Sequence, residues 1–161
     1  LSSRQYDVIV SEPSNPWMAG VAALFTREFF TILRSRLSPG GLVCQWAHTY
    51  DISPEDLRSI VATFVSVFPN GTMWLVGNGD LLMVGPADAL GSGIEQIATA
   101  WHRPGVAEDL QSVAISAPFS LWSLFAGSGD ELRAYAGDAV SQSDDRMALE
   151  DTIAMLTQVV T

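Results

Sequence analysis

A short run of β-branched residues near the start of the chain, Tyr6-Asp7-Val8-Ile9-Val10, constrains the fold more than any other feature. Its apolar residues are nearly consecutive rather than alternating with polar ones, which is typical of a parallel strand buried on both faces. A second run of this kind, Leu42-Val43-Cys44-Gln45, follows further along the chain. Because parallel strands need a crossover connection, usually a helix, the two runs predict an α/β fold.

The segment between the two runs has the pattern of a loop followed by a helix. The loop, Ser11–Gly20, is rich in proline, and Thr26 is the predicted N-cap with Glu28 in the first turn. The helix is predicted to end at Pro39-Gly40-Gly41. Its predicted apolar face consists of Phe25, Phe29, Ile32, Leu33 and Leu37.

A second helix has the clearest start signal in the chain. Ser53 is the predicted N-cap, Pro54 takes the first helical position, and Glu55 and Asp56 complement the N-terminal dipole. Apolar residues then recur at helical spacing until Pro69-Asn70-Gly71, where we expect the helix to end.

Two short strands and a helical region complete the pattern. The strands, 72–76 and 81–84, flank Gly77-Asn78-Gly79-Asp80, which is typical of a β-hairpin. The order is therefore β-loop-α-β-α-β-β, with parallel crossovers first and an antiparallel hairpin last. Short helices are predicted at 119–125 and 130–135, and a last helix after Ser143. Gly127-Ser128-Gly129 is interpreted as a connector.

Composition excludes several classes of function. A net charge of −10 has the wrong sign for binding nucleic-acid phosphates but attracts a small cationic ligand such as a polyamine. Cys44 is the single cysteine, so no intrachain disulfide and no cysteine-based zinc site can form, and we interpret it as a small buried hydrophobe. No apolar run approaches the ~20 residues of a membrane span, and no metal site is indicated.

Polar and aromatic residues follow both predicted parallel strands, at the edge where ligands collect in open α/β sheets. The first loop holds Glu12, Asn15 and Trp17, which can set a carboxylate and an amide against a substrate amine, with the indole as a wall. Gln45 and His48 follow the second strand. The alternatives are a solvated loop with a packing tryptophan, a strand-end polar Gln45 and a solvated His48 in a loop.

Several motifs occur together in one order along the chain. Three are long stretches: Tyr6–Pro16, Leu24–Phe30 and Leu37–Gly41. Shorter ones are Pro16–Gly20, Gln45-Trp46, Ser53–Leu57, Phe68-Pro69 and Ser143-Asp144-Asp145-Arg146. As a set they resemble spermidine synthases, most closely the bacterial spermidine-synthase-like proteins that are often fused to a transporter-like membrane segment.

The resemblance implies the C-terminal half of a Rossmann-like, methyltransferase-type fold. Residues 1–86 would form this half-domain, and 87–161 its helical C-terminal extension. Since Leu1 lies only a few residues before a buried strand, we expect a portion of a longer parent protein, whose N-terminal half of the domain is a missing partner. The parent is expected to be cytoplasmic, with tethering to the inner membrane as an open alternative.

The resemblance also implies a reaction and a cofactor for that parent. The family transfers an aminopropyl group from decarboxylated S-adenosylmethionine to a small cationic amine such as putrescine. Its nucleoside-binding loop belongs to the first half of the domain, and no G-x-G-x-x-G-like run follows a strand in this chain. We therefore expect the isolated chain to bind no cofactor and to be inactive.

The resemblance assigns roles to individual residues. Glu12 falls where the family has the first aspartate of its Asp-Ser-Ser-Asp-Pro motif, and Asn15 where it has the second, which acts as the base; these two are the candidate catalytic residues. Asparagine can orient an amine but cannot accept its proton. Gln45 matches the family's glutamine, and Trp17, Gln45 and His48 are the candidate substrate-binding residues. The Tyr-Pro-Ser-Gly hairpin of the family, whose tyrosine lines the diamine site, is replaced here by Gly77-Asn78-Gly79-Asp80.

Two other functions remain open. Asn15-Pro16-Trp17 resembles the Asn-Pro-Pro-aromatic motif of S-adenosylmethionine-dependent amino methyltransferases, although Glu12-Pro13-Ser14 separates it from the strand. Alternatively, loss of the aspartate base is typical of a non-catalytic module that binds a polyamine or a nucleoside for a transporter.

The first strand is also expected to mediate self-association. In the resembled fold its outer edge pairs with a strand from the first half of the domain. Without that strand, the apolar edge carries neither proline nor lysine between Tyr6 and Ser11 to discourage pairing with another chain. We therefore expect a homodimer through this sheet edge.

Overall fold

A computed structural model describes residues 4–13, 20–50, 52–88, 94–146 and 149 of the chain. Its strands are β1 (Tyr6–Ser11), β2 (Leu37–His48), β3 (Thr72–Val76), β4 (Asp80–Pro86) and β5 (Phe125–Ser128). Its helices are α1 (Arg27–Ser35), α2 (Pro54–Val67), α3 (Ile94–Trp101), α4 (Val106–Ser112), α5 (Pro118–Trp122) and α6 (Gly129–Ala136). A 3-10 turn, Ala22–Phe25, precedes α1.

The strands of the described residues form one sheet in the order β1-β2-β4-β3-β5. β1 and β2 are parallel and are connected through α1, whereas the other neighbouring pairs are antiparallel. The predicted mixed α/β fold, with parallel strands first and an antiparallel hairpin after them, is confirmed. Because β1 and β2 run in the same direction, their carboxyl ends meet at one edge of the sheet.

One face of the sheet, the first face, is packed against α1 and α2. Val43, Ala47, Leu81 and Met83 alternate along β2 and β4 with residues of the opposite face and are fully buried in this core. Beneath the helices, the rings of Phe30, Phe64 and Phe68 cluster. The centroids of Phe30 and Phe64 lie 5.4 Å apart in an edge-to-face contact.

The opposite, second face of the sheet has two halves. Over β3 and β4, which we call the covered half, a cavity of about 270 Å³ is lined by Trp74 and Val84 from the strands and by Ile97 and Leu124 from the region of α3 and α5. Over β1 and β2, the open half, Val8 and Val10 are 56% and 66% exposed. The open half is therefore an apolar surface that the described residues leave largely uncovered.

The predicted helix starts are confirmed. The Thr26 hydroxyl accepts a hydrogen bond from the Phe29 N–H at 3.3 Å, and the Ser53 hydroxyl accepts one from the Asp56 N–H at 3.0 Å. The end of α1 was predicted wrongly and its apolar face only in part correctly, since Phe29 and Leu33 do pack against the core. Ile32 is 57% exposed, whereas Phe30 is fully buried, because the helix is shorter and is rotated relative to the predicted face.

β2 is longer than predicted because Pro39-Gly40-Gly41 lies inside the strand instead of ending the helix. Gly40 has a φ of +74°, and the pairing of β2 with β1 shifts register in this region. A Cβ on Gly41 would lie 2.9 Å from the Tyr6 carbonyl oxygen, so glycine is required here for close approach of two strands.

The interpretation of Gly127-Ser128-Gly129 as a connector is also wrong, because its first two residues belong to β5. The predicted helix at 119–125 is correspondingly shorter, Pro118–Trp122. A Cβ on Gly129 would overlap the Pro69 carbonyl oxygen, so only glycine fits at this close approach of two backbone segments. Cys44 is only half-buried, since it lies on the second face at the open half.

The turn at Ser143–Arg146 packs against the start of α1. The Thr26 hydroxyl donates to Asp144 Oδ1 at 2.8 Å, and the Asp144 N–H donates to Glu28 Oε2 at 3.1 Å. Backbone N–H groups of Glu28 itself and of Asp144 lower the pKa of the Glu28 carboxyl. Beyond this turn only buried Leu149 is described, so most of the predicted last helix lies outside the described residues. No helix among those residues is long and apolar enough to cross a membrane.

Candidate functional site

Three of the five predicted site residues belong to the described part of the chain. Glu12 is exposed and directly follows β1. Gln45 and His48 lie near the carboxyl end of β2. Ser11 is paired with Gln45, so the two carboxyl ends are adjacent. Asn15 and Trp17 lie outside the described residues. Glu12, Gln45 and His48 thus lie at one edge of the sheet.

Gln45 is fully buried on the first face, on the same side of β2 as Val43 and Ala47. Its Nε2 donates to the Trp46 carbonyl oxygen at 3.1 Å. Its Oε1 has no hydrogen-bond partner among the described residues. A buried acceptor without a donor is destabilising, and an N–H donor reaching this strand end would satisfy it.

His48 is the last residue of β2 and is fully buried, so its interpretation as a solvated loop histidine is wrong. Its Nδ1 lies 2.8 Å from the Tyr50 carbonyl oxygen. A carbonyl oxygen can only accept, so Nδ1 is the donor in this contact. The burial follows from stacking with neighbouring aromatic rings.

An aromatic stack formed by Trp46, His48 and Tyr50 occupies the carboxyl end of β2. The centroids of His48 and Tyr50 are 4.0 Å apart with an interplanar angle of 12°, and those of Trp46 and His48 are 5.2 Å apart. Strand alternation places Trp46 and His48 on the second face, away from Gln45. Continuing the β1–β2 register by one residue places Glu12 beside Trp46 on that face.

The hairpin between β3 and β4 holds the segment after β2 in place. The Thr49 N–H and hydroxyl both donate to the Gly79 carbonyl oxygen, at 2.7 and 3.2 Å. Gly79 has a φ of +125°, and a Cβ there would lie 3.5 Å from Tyr50 Cδ1. Asp80 is paired with His48 across the β2–β4 ladder. The β3–β4 hairpin therefore lies next to Tyr50.

Sequence reasoning missed Trp46, Tyr50 and Asp80 as site residues. The available signal for Trp46 was its alternation with His48, since alternate positions of a strand share one face. Tyr50 lies beyond the end of β2, where this rule does not apply. Pairing of Asp80 with His48 depends on the register between two strands, which the local sequence does not specify.

A second concave region is formed by residues of α2, of α6 and of the segment after α6. A cavity of about 590 Å³ between the start of α2 and the end of α6 is lined in part by Asp56, Ser59, Tyr135 and Asp138. Asp56 and Ser59 already have structural partners, because Asp56 accepts from the Ser53 hydroxyl and Ser59 donates to the Val140 carbonyl. Among the described residues, no three His, Cys, Asp or Glu side chains form a group that could hold a metal ion.

The fold that carries this edge is a methyltransferase-type α/β fold. It is similar to the crystal structure of a probable spermidine synthase from Corynebacterium glutamicum, with a TM-score of 0.55 and 16% sequence identity over 88% of this chain and 50% of that chain. In sequence, the chain is 26% identical over 66 residues to the spermidine synthase of Dictyostelium discoideum, which is 41% of this chain and 23% of that protein.

No protein-family model matches the chain. Its similarity is therefore to spermidine synthases, in fold over most of its length and in sequence over a shorter stretch. The chain spans half of the solved structure it resembles and about a quarter of the curated relative.

Proposed function

We propose that the chain is part of a longer spermidine-synthase-like transferase, which moves an aminopropyl group from decarboxylated S-adenosylmethionine to a polyamine such as putrescine. The observation that carries this proposal is that comparisons of sequence and of structure both lead to proteins named spermidine synthases. The net charge of −10 and the carboxylates at the site suit a cationic acceptor. We place this transferase in the cytoplasm.

The described residues suit the acceptor amine rather than the nucleoside. β1 leads into exposed Glu12 and buried Pro13, without a glycine-rich turn that would let a nucleoside approach the backbone. Carboxylates, a buried carboxamide oxygen and aromatic rings are, in contrast, the groups that bind an ammonium ion. We therefore expect the isolated chain to bind S-adenosylmethionine and its decarboxylated form very weakly, and micromolar affinity in a calorimetric titration would contradict this.

Proton removal is the chemical task that the site residues would perform. An alkyl amine with a pKa of about 10 is protonated at neutral pH and must lose a proton before it can act as a nucleophile. Glu12 follows β1 directly and in this proposal accepts that proton, whereas Asn15 orients the amine through hydrogen bonds.

The longer protein provides the decisive assay. Incubation with putrescine and decarboxylated S-adenosylmethionine should yield an aminopropylated amine. Asn15→Asp adds a second proton acceptor at the position of the family's base and should raise the rate, by at most the roughly 10²–10⁴-fold that general-base assistance contributes. Asn15→Gln, which cannot accept the proton, is the matched control and should not raise it. Absence of product from both the native protein and Asn15→Asp would contradict the proposal.

Two alternatives give other outcomes in this assay. Asn15-Pro16-Trp17 favours an amino methyltransferase, which would methylate an amine with ordinary S-adenosylmethionine and ignore the decarboxylated form. The same asparagine favours a non-catalytic module serving a transporter, which would bind the amine or nucleoside and release no product with either cofactor.

A further inference from the structure

The cavity between the first turns of α2 and the end of α6 has a volume of about 590 Å³, which is typical of small-molecule sites. Apolar side chains of Ala136, Ala139 and Val140 form part of its wall. Because α6 ends at Ala136, the negative end of its helix dipole also lies at this wall. The cavity therefore combines apolar surface with negative potential.

Carboxylates outnumber cationic groups in the lining of this cavity. Glu55, Asp56 and Asp138 contribute three carboxylates against the guanidinium of Arg58, so the formal charge of the lining is −2. Arg58 forms an ion pair with Glu55 at 3.1 Å. Asp138 is exposed, and its side chain makes no hydrogen bond or ion pair with any described residue. Its carboxylate is therefore available to a ligand.

The back wall of the cavity contains a buried amide with an unused acceptor. Gln142 is 1% exposed, and its Nε2 donates to the Ser59 hydroxyl at 2.6 Å. This bond directs the amide towards the cavity, because Ser59 lines it. Gln142 Oε1 has no hydrogen-bond partner among the described residues, so its dipole adds negative potential to the wall. The Gln142 N–H donates to the Thr63 hydroxyl at 2.7 Å, which fixes the wall to α2 before any ligand binds.

We infer that this cavity binds an aliphatic polyamine, at a site separate from the sheet edge that holds Glu12 and Gln45. One ammonium group lies between the Asp138 carboxylate and the ring of Tyr135, which is 41% exposed in the last turn of α6. The carboxylate supplies a charge-assisted hydrogen bond, and the ring attracts the cation through its quadrupole.

The remaining features of the cavity select the class of cation. A formal charge of −2 favours a ligand with more than one ammonium group, and the alanine and valine side chains favour a methylene chain between them. No group of three His, Cys, Asp or Glu side chains in the described part of the chain could hold a metal ion, which favours an organic cation. Recognition needs only this charge and this chain, so the inference does not rest on the proposed reaction.

Diffuse attraction is the competing explanation of any polyamine binding. A chain with a net charge of −10 attracts polyamines over its whole surface, so the residues of a true site must matter more than other carboxylates. Asp109 provides the matched control, because it is an exposed aspartate on α4 and does not line the cavity.

The test is a titration of the 161-residue chain with putrescine, followed by NMR, with neutral 1,4-butanediol as the comparison ligand. The amide resonances of residues 137–140 should shift and saturate with putrescine and should not respond to the diol. Asp138→Asn should weaken the binding about two- to five-fold, and Asp109→Asn should not change it. Tyr135→Leu should weaken it by a similar factor, whereas Tyr135→Phe, which keeps the aromatic face, should not.

Several outcomes would overturn the inference. These are the absence of saturable shifts at residues 137–140, an equal response to 1,4-butanediol, unchanged binding by Asp138→Asn, and equal weakening by Asp109→Asn. Far-ultraviolet circular dichroism of each variant checks that the fold is retained. Glu12→Gln separates the two sites, because it alters the sheet edge and should leave the shifts at residues 137–140 unchanged. Their loss in this variant would likewise contradict a separate site.

Discussion

The covered and open halves of the second sheet face carry similar side chains in different surroundings. Trp74 and Val84 lie against the region of α3 and α5, whereas Val8 and Val10 lie at the surface. Valines on both halves are in register across the same sheet, since Val10 pairs with Cys44 and Cys44 with Val84. The apolar pattern of a strand thus shows that a surface is suited to burial, but not which part of the chain, or which other chain, buries it.

The two edge strands of the sheet, β5 and β1, also differ in how well they are protected against pairing with another chain. β5 has four residues and continues directly into α6, whose first turn is capped by Ser128 and Glu131. β1 has six residues, several of them β-branched, and no described strand pairs with its outer edge. Short edge strands followed by a helix discourage pairing with another chain, and long apolar ones promote it. The four predictions below test this contrast.

Removal of Trp122 should have the largest effect, because this ring belongs to the covered half. It stacks on Phe125 with a centroid distance of 4.6 Å and contacts Trp74 edge-on at 6.1 Å. Trp122→Ala should lower the free energy of unfolding by about 2–3 kcal/mol, measured by urea denaturation at low micromolar concentration. Val10→Ala on the open half should change it by no more than about 0.5 kcal/mol. A cost near 1.5 kcal/mol for Val10→Ala would mean that the open half is buried.

Self-association should depend on the open half. We propose that two copies pair antiparallel through β1, because a two-fold axis perpendicular to the sheet would set the two open halves side by side. Val10→Lys places a charge on this edge and should raise the dimer dissociation constant about ten-fold or more in sedimentation experiments. Val113→Lys makes the same change at a residue with 67% exposure, against 66% for Val10, and should leave the constant unchanged. A strictly monomeric native chain at high micromolar concentration would refute the proposal.

The ionisation of the Cys44 thiol tests how far this position on the open half is buried. Burial raises the pKa of the Cys44 thiol, so the folded chain disfavours the thiolate. This contribution to stability is complete below the pKa of the unfolded thiol and is lost as pH rises from there towards the folded pKa. From pH 8 to 10, the free energy of unfolding of the native chain should fall slightly more than that of Cys44→Ala. An identical pH dependence would contradict the partial burial of this thiol.

The cap beside β5 should give the smallest effect. Hydrogen bonds from the Ser128 hydroxyl at 2.5 Å and from its N–H at 3.1 Å lower the pKa of the Glu131 carboxyl. The stabilisation is therefore present above the unfolded pKa and is lost as pH falls through the folded one. Glu131→Gln should lower the Tm slightly at pH 7 and make no difference at pH 3. Because the group is exposed, the effect is small, and equal differences at both pH values would contradict the role of ionisation.

The helix starts were predictable because their signals are local. Thr26 and Ser53 act on N–H groups three residues away, within the same turn. The true extents of β2 and β5 could not be predicted in this way. Gly41 is required by close contact with Tyr6, and Gly129 by close contact with Pro69, and both partners are distant in sequence. Glycine is typical of turns, so a local pattern does not distinguish a turn from close packing.

The candidate site was predictable in position and less so in composition. Glu12, Gln45 and His48 follow from the rule that ligands collect at the carboxyl ends of parallel strands. The burial of His48 depends on stacking with Tyr50, and the place of Asp80 depends on the register of an antiparallel partner. Such relations between neighbouring strands arise only when the sheet assembles, and the local sequence does not contain them.

The turn that binds the start of α1 has a consequence for synthesis on the ribosome. Thr26 and Asp144 are 118 residues apart, so the contact between their side chains cannot form until residue 144 has emerged. At translation rates of about 5–20 residues per second, α1 waits about 6–24 s for this contact. During that interval α1 and α2 lack the hydrogen bonds that residues 142–146 make with them. A nascent chain stopped before residue 142 should therefore be digested by protease within α1 more rapidly than a chain in which residues 142–146 have emerged.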